Sequence, residues 1–276
     1  METTIETTIV NISDSSSRII KGSPVIDAEA FPSYASIRHC GIKHSCGGII
    51  LDERRILTAT HCGITQFDTV IVGGIKRDGS DKQQELTIKQ VFNHPDYNPA
   101  TIENDISVIE LKTSINFTSN VKPIEIGSEE EFTEIRNGAS ENSRTSAYQC
   151  EVVGHGFTDG KNSTVDQLQK TTQVYTNEKA CWNYKMNTGH CFLTRDEAGD
   201  SQVCQGDSGG PLYCNVGNVK KLFGVVSFVS ATSCDKGFTG FTLPIRYKSF
   251  IDGCVNASPS SKLHFAFVLI LISTFI

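Results

Sequence analysis

From residue 19 to about residue 253 the chain is a succession of short Val- and Ile-rich runs, each closed by Gly, Asn, Asp or Pro. Cys46-Gly47-Gly48-Ile49-Ile50-Leu51 and Thr69-Val70-Ile71-Val72 are two of them; residues 106–111, 150–153 and 222–229 supply others. Short β-branched runs bounded by turn formers are strand signals. They restrict the chain to an all-β fold. Helical spacing is scarce, and the best stretch is 247–254, at the end of the domain. No repeat of fixed period is present. The polar, acidic stretch 129–146 suits a connector between two β halves.

Composition narrows the classes of function. The chain has 276 residues, 38% of them apolar and 20% charged, which suits a real core and excludes disorder. Its net charge of −6 argues against nucleic acid, because binding phosphate takes clustered Lys and Arg. Ten cysteines exceed what a reduced cytosolic enzyme carries and point to a secreted or surface protein. Residues 1–17 nevertheless have no basic start and no apolar h-region, so they are no signal peptide. The simplest reconciliation is that the true N-terminus precedes this sequence. The apolar tail 263–276 is short for a membrane span, which takes about 20 residues. Behind the small polar stretch 258–262 it resembles a GPI-attachment signal, the alternatives being a loosely membrane-associated tail or a gene-model artefact.

Three segments carry chemistry. Cys204-Gln205-Gly206-Asp207-Ser208-Gly209-Gly210-Pro211 sets a serine among glycines, as a nucleophile on a tight turn needs if backbone N–H groups are to approach an oxyanion. Thr58-Ala59-Thr60-His61-Cys62 puts a histidine after an apolar strand end, and Glu103-Asn104-Asp105-Ile106 puts an aspartate at the mouth of another. Acyl transfer asks for this set. Serine must lose a proton, histidine must take and return it, and a carboxylate must orient the imidazole.

On these motifs, in the order His, Asp, Ser, the chain resembles the trypsin/chymotrypsin-like serine peptidases over most of its length. The resemblance implies two six-stranded antiparallel β-barrels, about 19–128 and 129–254, with the active site between them and a short C-terminal helix. It makes 1–18 a propeptide or N-terminal extension and 255–276 a spacer and hydrophobic tail. It assigns Ser208 as nucleophile, His61 as base then acid, Asp105 as the group fixing the His61 tautomer, and the N–H groups of Gly206 and Ser208 as the oxyanion hole. Ser227 falls on the strand that pairs with substrate backbone. Arg18-Ile19-Ile20-Lys21-Gly22 is similar to a zymogen cleavage site: cutting after Arg18 frees the Ile19 amine to pair with Asp207, although Lys21 stands where the family has Gly. Four bridges follow from the same likeness: Cys46–Cys62, Cys150–Cys214, Cys181–Cys191 and Cys204–Cys234. Cys40 and Cys254 are left over, as free thiols, as a mutual bridge or for pairing between molecules.

The pocket positions implied by the family are Gln202 at the base, with Val229 and Thr239 (or Gly240) at the walls. They are similar to elastases. Branched walls and a neutral base predict cleavage after Ala, Val or Leu, so the enzyme would not cut after its own Arg18 and would need a trypsin-like activator. A trypsin-like pocket is the alternative specificity. Asp200 lies out of register for it, because Cys204 sets the frame. Protein or peptide substrates and protein protease inhibitors are the expected partners, and no cofactor is expected. His39, His44 and His190 lack metal-site spacing. The loop 75–85 lacks the first carboxylate of a calcium site. Hence no metal is predicted. His155, where the family has Trp, reads as a packing substitution, and His94-Pro95-Asp96-Tyr97 as a turn. Asn11, Asn116, Asn162 and Asn256 head glycan sequons. The rival reading is a catalytically inactive homologue that uses its barrels as a binding module.

Overall fold

The computed structural model describes residues 19, 22–138, 150–157, 166–175, 203–229 and 239–254, and the backbone of 191–195. Its strands are β1 (Ser23–Pro24), β2 (Tyr34–His39), β3 (Lys43–Ile50), β4 (Arg55–Thr58), β5 (Thr69–Val72), β6 (Gln84–Asn93), β7 (Ser107–Leu111), β8 (Cys150–Gly154), β9 (Gln169–Tyr175), β10 (Cys191–Arg195), β11 (Pro211–Val216), β12 (Val219–Val229) and β13 (Thr239–Thr242). The order β2-β3-β4-β7-β6-β5 closes into a barrel. Strands β8 to β13 form the second sheet, which also joins β9 to β8, with β1 added at β9. Every named pairing is antiparallel, so the all-β architecture matches the expectation.

Alternation along the strands makes two cores. In β6, Leu86 and Ile88 turn inward while Glu85, Thr87 and Lys89 face out. They meet Ala35, Ile37, Val70 and Ile109 inside the first barrel. Val152, Leu212, Val226 and Phe241 fill the second. A third cluster joins the two: Leu57, Ile106 and Val108 pack against Leu222, Val225 and Ile251. Each such fully buried aliphatic side chain contributes about 1.5–3 kcal/mol. This seam holds the barrels in a fixed relation, which a site built from both requires.

The seam includes the C-terminal helix. A 3-10 turn, Pro244–Tyr247, runs into a short helix, Lys248–Gly253, as the spacing predicts. Tyr247 and Ile251 are buried there.

The stretch 129–146 lies between the barrel strand β7 and β8 of the second sheet, and its first part is helical. Glu129–Gly138 is a helix, α1, with Phe132 and Ile135 buried; residues 139–149 lie outside the described residues. Its start is a capping box. Ser128 N–H donates to Glu131 Oε2 (2.8 Å), and Glu131 N–H donates to Ser128 Oγ (3.2 Å).

Cys46–Cys62 and Cys150–Cys214 are bridged. Cys204 is disulfide-bonded too, and its expected partner Cys234 lies outside the described residues. Cys181 and the side chain of Cys191, the remaining expected pair, also lie outside them. Cys40 and Cys254 are free thiols, so the structure contains no mutual bridge between them.

Candidate active site

His61 sits in a 3-10 turn, Thr60–Cys62, that follows β4 and is closed by Gly63 in the left-handed region (φ 61°). Two fastenings hold the turn. The Cys46–Cys62 bridge ties it to β3. Thr60 Oγ1 donates to the Ile106 carbonyl (2.7 Å), just before β7. Asp105 lies at that same point, fully buried. Its Oδ1 accepts the His61 backbone N–H (2.8 Å), and its Oδ2 accepts from His61 Nδ1 (2.7 Å) and Ser227 Oγ (2.5 Å). A carboxylate only accepts, so Nδ1 carries the hydrogen and Nε2 presents its lone pair to the cleft. Thr242 on β13 donates to the Asp105 carbonyl (2.9 Å), so the second barrel also grips this residue.

The serine loop stands against the same turn. Gly209 has φ 74°, and a side chain there would meet Thr58 Oγ1 at 2.2 Å and the Ala59 nitrogen at 3.2 Å. Only glycine permits that approach. The Ser208 carbonyl accepts from Gly47 N–H of β3 (2.8 Å), while Gly209 N–H donates to Val226 of β12 (2.8 Å). Ser208 is thus held between one strand of each barrel. The N–H groups of Asp207, Gly209 and Gly210 are bonded, to Cys204, Val226 and Asp207 carbonyls respectively. Those of Gly206 and Ser208 have no acceptor among the described residues, and Ser208 Oγ and His61 Nε2 likewise have no hydrogen-bond partner there.

Asp207 occupies a chamber behind this loop. It is fully buried, and its oxygens accept from Gly156 N–H (2.8 Å) and Cys204 N–H (2.9 Å). Burial pushes its carboxyl up from 3.8 to about 6, against these bonds and the pull of Arg77. Among the described residues no cation forms an ion pair with it. Gly154 and Gly156 make the chamber: a Cβ on them would stand 1.9 and 2.4 Å from the Asp207 oxygens. Ile19 is buried (1% exposed), and Arg18 and Lys21 lie outside the described residues.

Two buried histidines pack beside this loop at Gly206. His155 Nε2–H donates to the Ile75 carbonyl (3.0 Å), which leaves Nδ1 to accept from Tyr34 OH (3.1 Å). Burial lowers its pKa to about 4, so the ring is neutral. It packs edge-on against Tyr34 and His44, in keeping with a packing role. His44 was not singled out as a site residue from sequence. Its Nε2–H donates to the Gly206 carbonyl (2.8 Å), and its Nδ1 accepts from Ser36 Oγ (2.7 Å). Burial holds its pKa well below the usual histidine value. His44 thereby holds the Gly206–Asp207 peptide, the one that follows the free Gly206 N–H along the chain. Nothing in its spacing announced this, because the contact spans 162 residues.

On one side of Ser208, β12 and β13 bring Val229 directly opposite Thr239, and Phe228 opposite Gly240. Thr239 is fully buried. Gln202 and Asp200 lie outside the described residues. Ser227, expected on this strand, adds the unanticipated bond to Asp105. On the other side, beside Gly206, a cavity of about 330 Å³ is lined by Lys43, His44, Arg77, Phe157 and Gln205 among others. His94 and Tyr97 close a turn as expected (Tyr97 N–H to His94 carbonyl, 3.1 Å).

Comparison with known proteins accords with this geometry. The Trypsin family profile matches residues 19–251. Granzyme M of Rattus norvegicus is 30% identical over 200 residues, covering 70% of this chain and 72% of the relative. Trypsin beta of Drosophila erecta is 33% identical over 219 residues, covering 76% and 78%. The solved structure of human heparin binding protein has the same fold, with a TM-score of 0.71 at 24% identity, covering 87% of this chain and 97% of that one.

Proposed function

Since this chain belongs to the trypsin family of serine proteases, we propose that it is a secreted endopeptidase made as a zymogen, with Ser208, His61 and Asp105 as its triad. The observation that carries this reading is the pair of acceptor-free N–H groups on Gly206 and Ser208, on a loop whose Gly209 packs against Thr58 and Ala59, two residues before a histidine whose Nε2 is left free by Asp105. His61 Nε2 takes the proton as Ser208 Oγ attacks the carbonyl carbon. The carbonyl oxygen, now negative, is received by the two N–H groups, each worth about 2.7–4 kcal/mol in such a site. His61 then gives the proton to the departing amine, and water repeats the sequence to release the acid. Substrate residues before the scissile bond add as a strand along 227–229, which gives affinity with little sequence demand.

Selectivity is assigned to the walls. Val229 and Thr239 face each other across one rung, and the family position for the pocket base is the neutral Gln202. Cleavage after Ala, Val or Leu follows. Activation is assigned to cutting after Arg18 by a trypsin-like protease. The freed Ile19 amine would neutralise Asp207, whose buried carboxylate is otherwise costly. Protein protease inhibitors that enter the same cleft are expected partners. The disulfides fit an oxidising compartment outside the cell.

The test is active-site labelling. Trypsin-cleaved protein should react with a fluorophosphonate probe at Ser208, and Ser208→Ala should abolish it. It should cleave Ala and Val reporters. Failure to label correctly folded, cleaved protein would replace the enzyme with a non-catalytic binding module. Turnover of Arg and Lys reporters alone would replace the elastase-like pocket with a trypsin-like one.

A further inference from the structure

The β2–β3 hairpin tip carries a feature that the triad does not use. Cys40 sits at the turn with φ 49°, followed by Gly41 at φ 74°. A side chain in the left-handed region costs on the order of 1–2 kcal/mol, and turn chemistry alone selects Gly or Asn there. Here it is an exposed cysteine. Such an outlier points to a local role beyond turning the chain.

Around it stand two more ligand types. His39 Nδ1 lies 3.0 Å from Asp68 Oδ1, and the Cys40 Sγ, a His39 ring nitrogen and an Asp68 oxygen all fall within 4.8 Å of one another. Asp68 arrives from the loop before β5 and is 2% exposed. Its carboxylate is already aimed: Oδ1 accepts from Cys40 N–H (3.0 Å), and Oδ2 accepts from Thr65 N–H (2.8 Å) and Thr65 Oγ1 (3.1 Å). Hydrogen-bonded carboxylates of this kind are how proteins orient a ligand oxygen before the ion arrives. The Glu85 carboxylate lies beside Gly41, and Lys43 is the cross-strand partner of His39.

We propose that His39, Cys40 and Asp68 form a site for a thiophilic divalent cation of the Zn²⁺ class. A thiolate, an imidazole and a carboxylate are the donor set this ion takes. Tetrahedral ligand atoms at about 2.0–2.3 Å from zinc stand roughly 3.3–3.6 Å apart. The observed cluster reaches that spacing by side-chain rotation at an exposed hairpin tip. Binding releases the proton of Cys40 Sγ to solvent, while the His39 hydrogen moves to Nε2, so that Nδ1, now beside Asp68 Oδ1, turns its lone pair to the ion. The fourth position is open to water. His39 also lines the cavity beside Gly206, so an occupied site sets a divalent cation on its rim.

The test does not depend on peptidase activity. The full chain carrying Ser208→Ala is titrated with Co²⁺. A sulfur-to-cobalt charge-transfer band should grow to one equivalent and be displaced by Zn²⁺. It should vanish in Cys40→Ser, weaken at least tenfold in affinity in His39→Ala, and persist in Cys254→Ser, which removes the other free thiol among the described residues. Zinc should slow alkylation of Cys40, mapped by peptide mass spectrometry, at least tenfold. No band at a large excess of metal, a band surviving Cys40→Ser, or Cys40 recovered in a disulfide from the secreted protein overturns the proposal. None of these results bears on whether Ser208 is a nucleophile.

Discussion

Replacing Asp105 by Asn tests the triad through the histidine tautomer. Oδ1 faces one donor, the His61 backbone N–H, and Oδ2 faces two, His61 Nδ1–H and Ser227 Oγ–H. An amide must place its NH₂ at one of these ends. At the Oδ1 end it meets a peptide N–H that cannot become an acceptor, which orphans a buried donor at a cost of about 1–3 kcal/mol. At the Oδ2 end both partners can adapt: Ser227 rotates its hydroxyl, and His61 moves its hydrogen to Nε2. The second arrangement therefore prevails by about 5- to 150-fold. In it Nε2 carries a hydrogen and cannot accept the Ser208 proton. The minority form also lacks the charge-assisted bond to the imidazolium, worth about 1.5–3 kcal/mol, or a further 10- to 150-fold. The product is a fall of roughly 10²–10⁴ in kcat/KM, with folding little changed. The assay pairs reporter hydrolysis by cleaved protein with ¹⁵N NMR of His61. A loss under tenfold, with hydrogen still on Nδ1, would refute the reasoning.

Three further outcomes are expected. Gly156→Ala puts a methyl 2.4 Å from Asp207 Oδ2; overpacking of this kind costs about 1–3 kcal/mol, read by urea unfolding, and a neutral result removes the chamber argument. In uncut chain (Arg18→Gln), Asp207 at about 6 against an ordinary 3.8 holds its proton more tightly folded than unfolded. Its contribution therefore erodes stability as pH rises from about 4 through 6, by about 3 kcal/mol at neutrality, and the stability gap to cleaved protein should widen over that window. The buried histidines are common to both forms and cancel, and a gap that stays flat with pH excludes the Ile19–Asp207 pairing. Val229→Gly should open the pocket, raising cleavage after Phe relative to Val by about tenfold or more, the worth of a few methylenes; an unchanged ratio in the reporter panel moves the wall elsewhere.

Much of this protein is written locally. Short β-branched runs between turn residues dictate strands, because a half-buried pleated surface selects them residue by residue. The triad segments are legible for the same reason, since each is a compact motif at a strand end. The capping box of α1 is local as well, but three successive glutamates outweigh its two buried apolar residues, so composition alone marks the stretch as polar. What tertiary structure alone decided are contacts between positions that no spacing relates. Ser227 reaches Asp105 across 122 residues, and His44 clamps Gly206 across 162. Gly154 and Gly156 matter only because β8 ends against a carboxylate from a different loop. The Asp68 carboxylate meets His39 and Cys40 only because β5 pairs beside β2. A sequence specifies which backbone each stretch prefers; barrel closure, driven by burial, decides which distant polar groups must then satisfy one another.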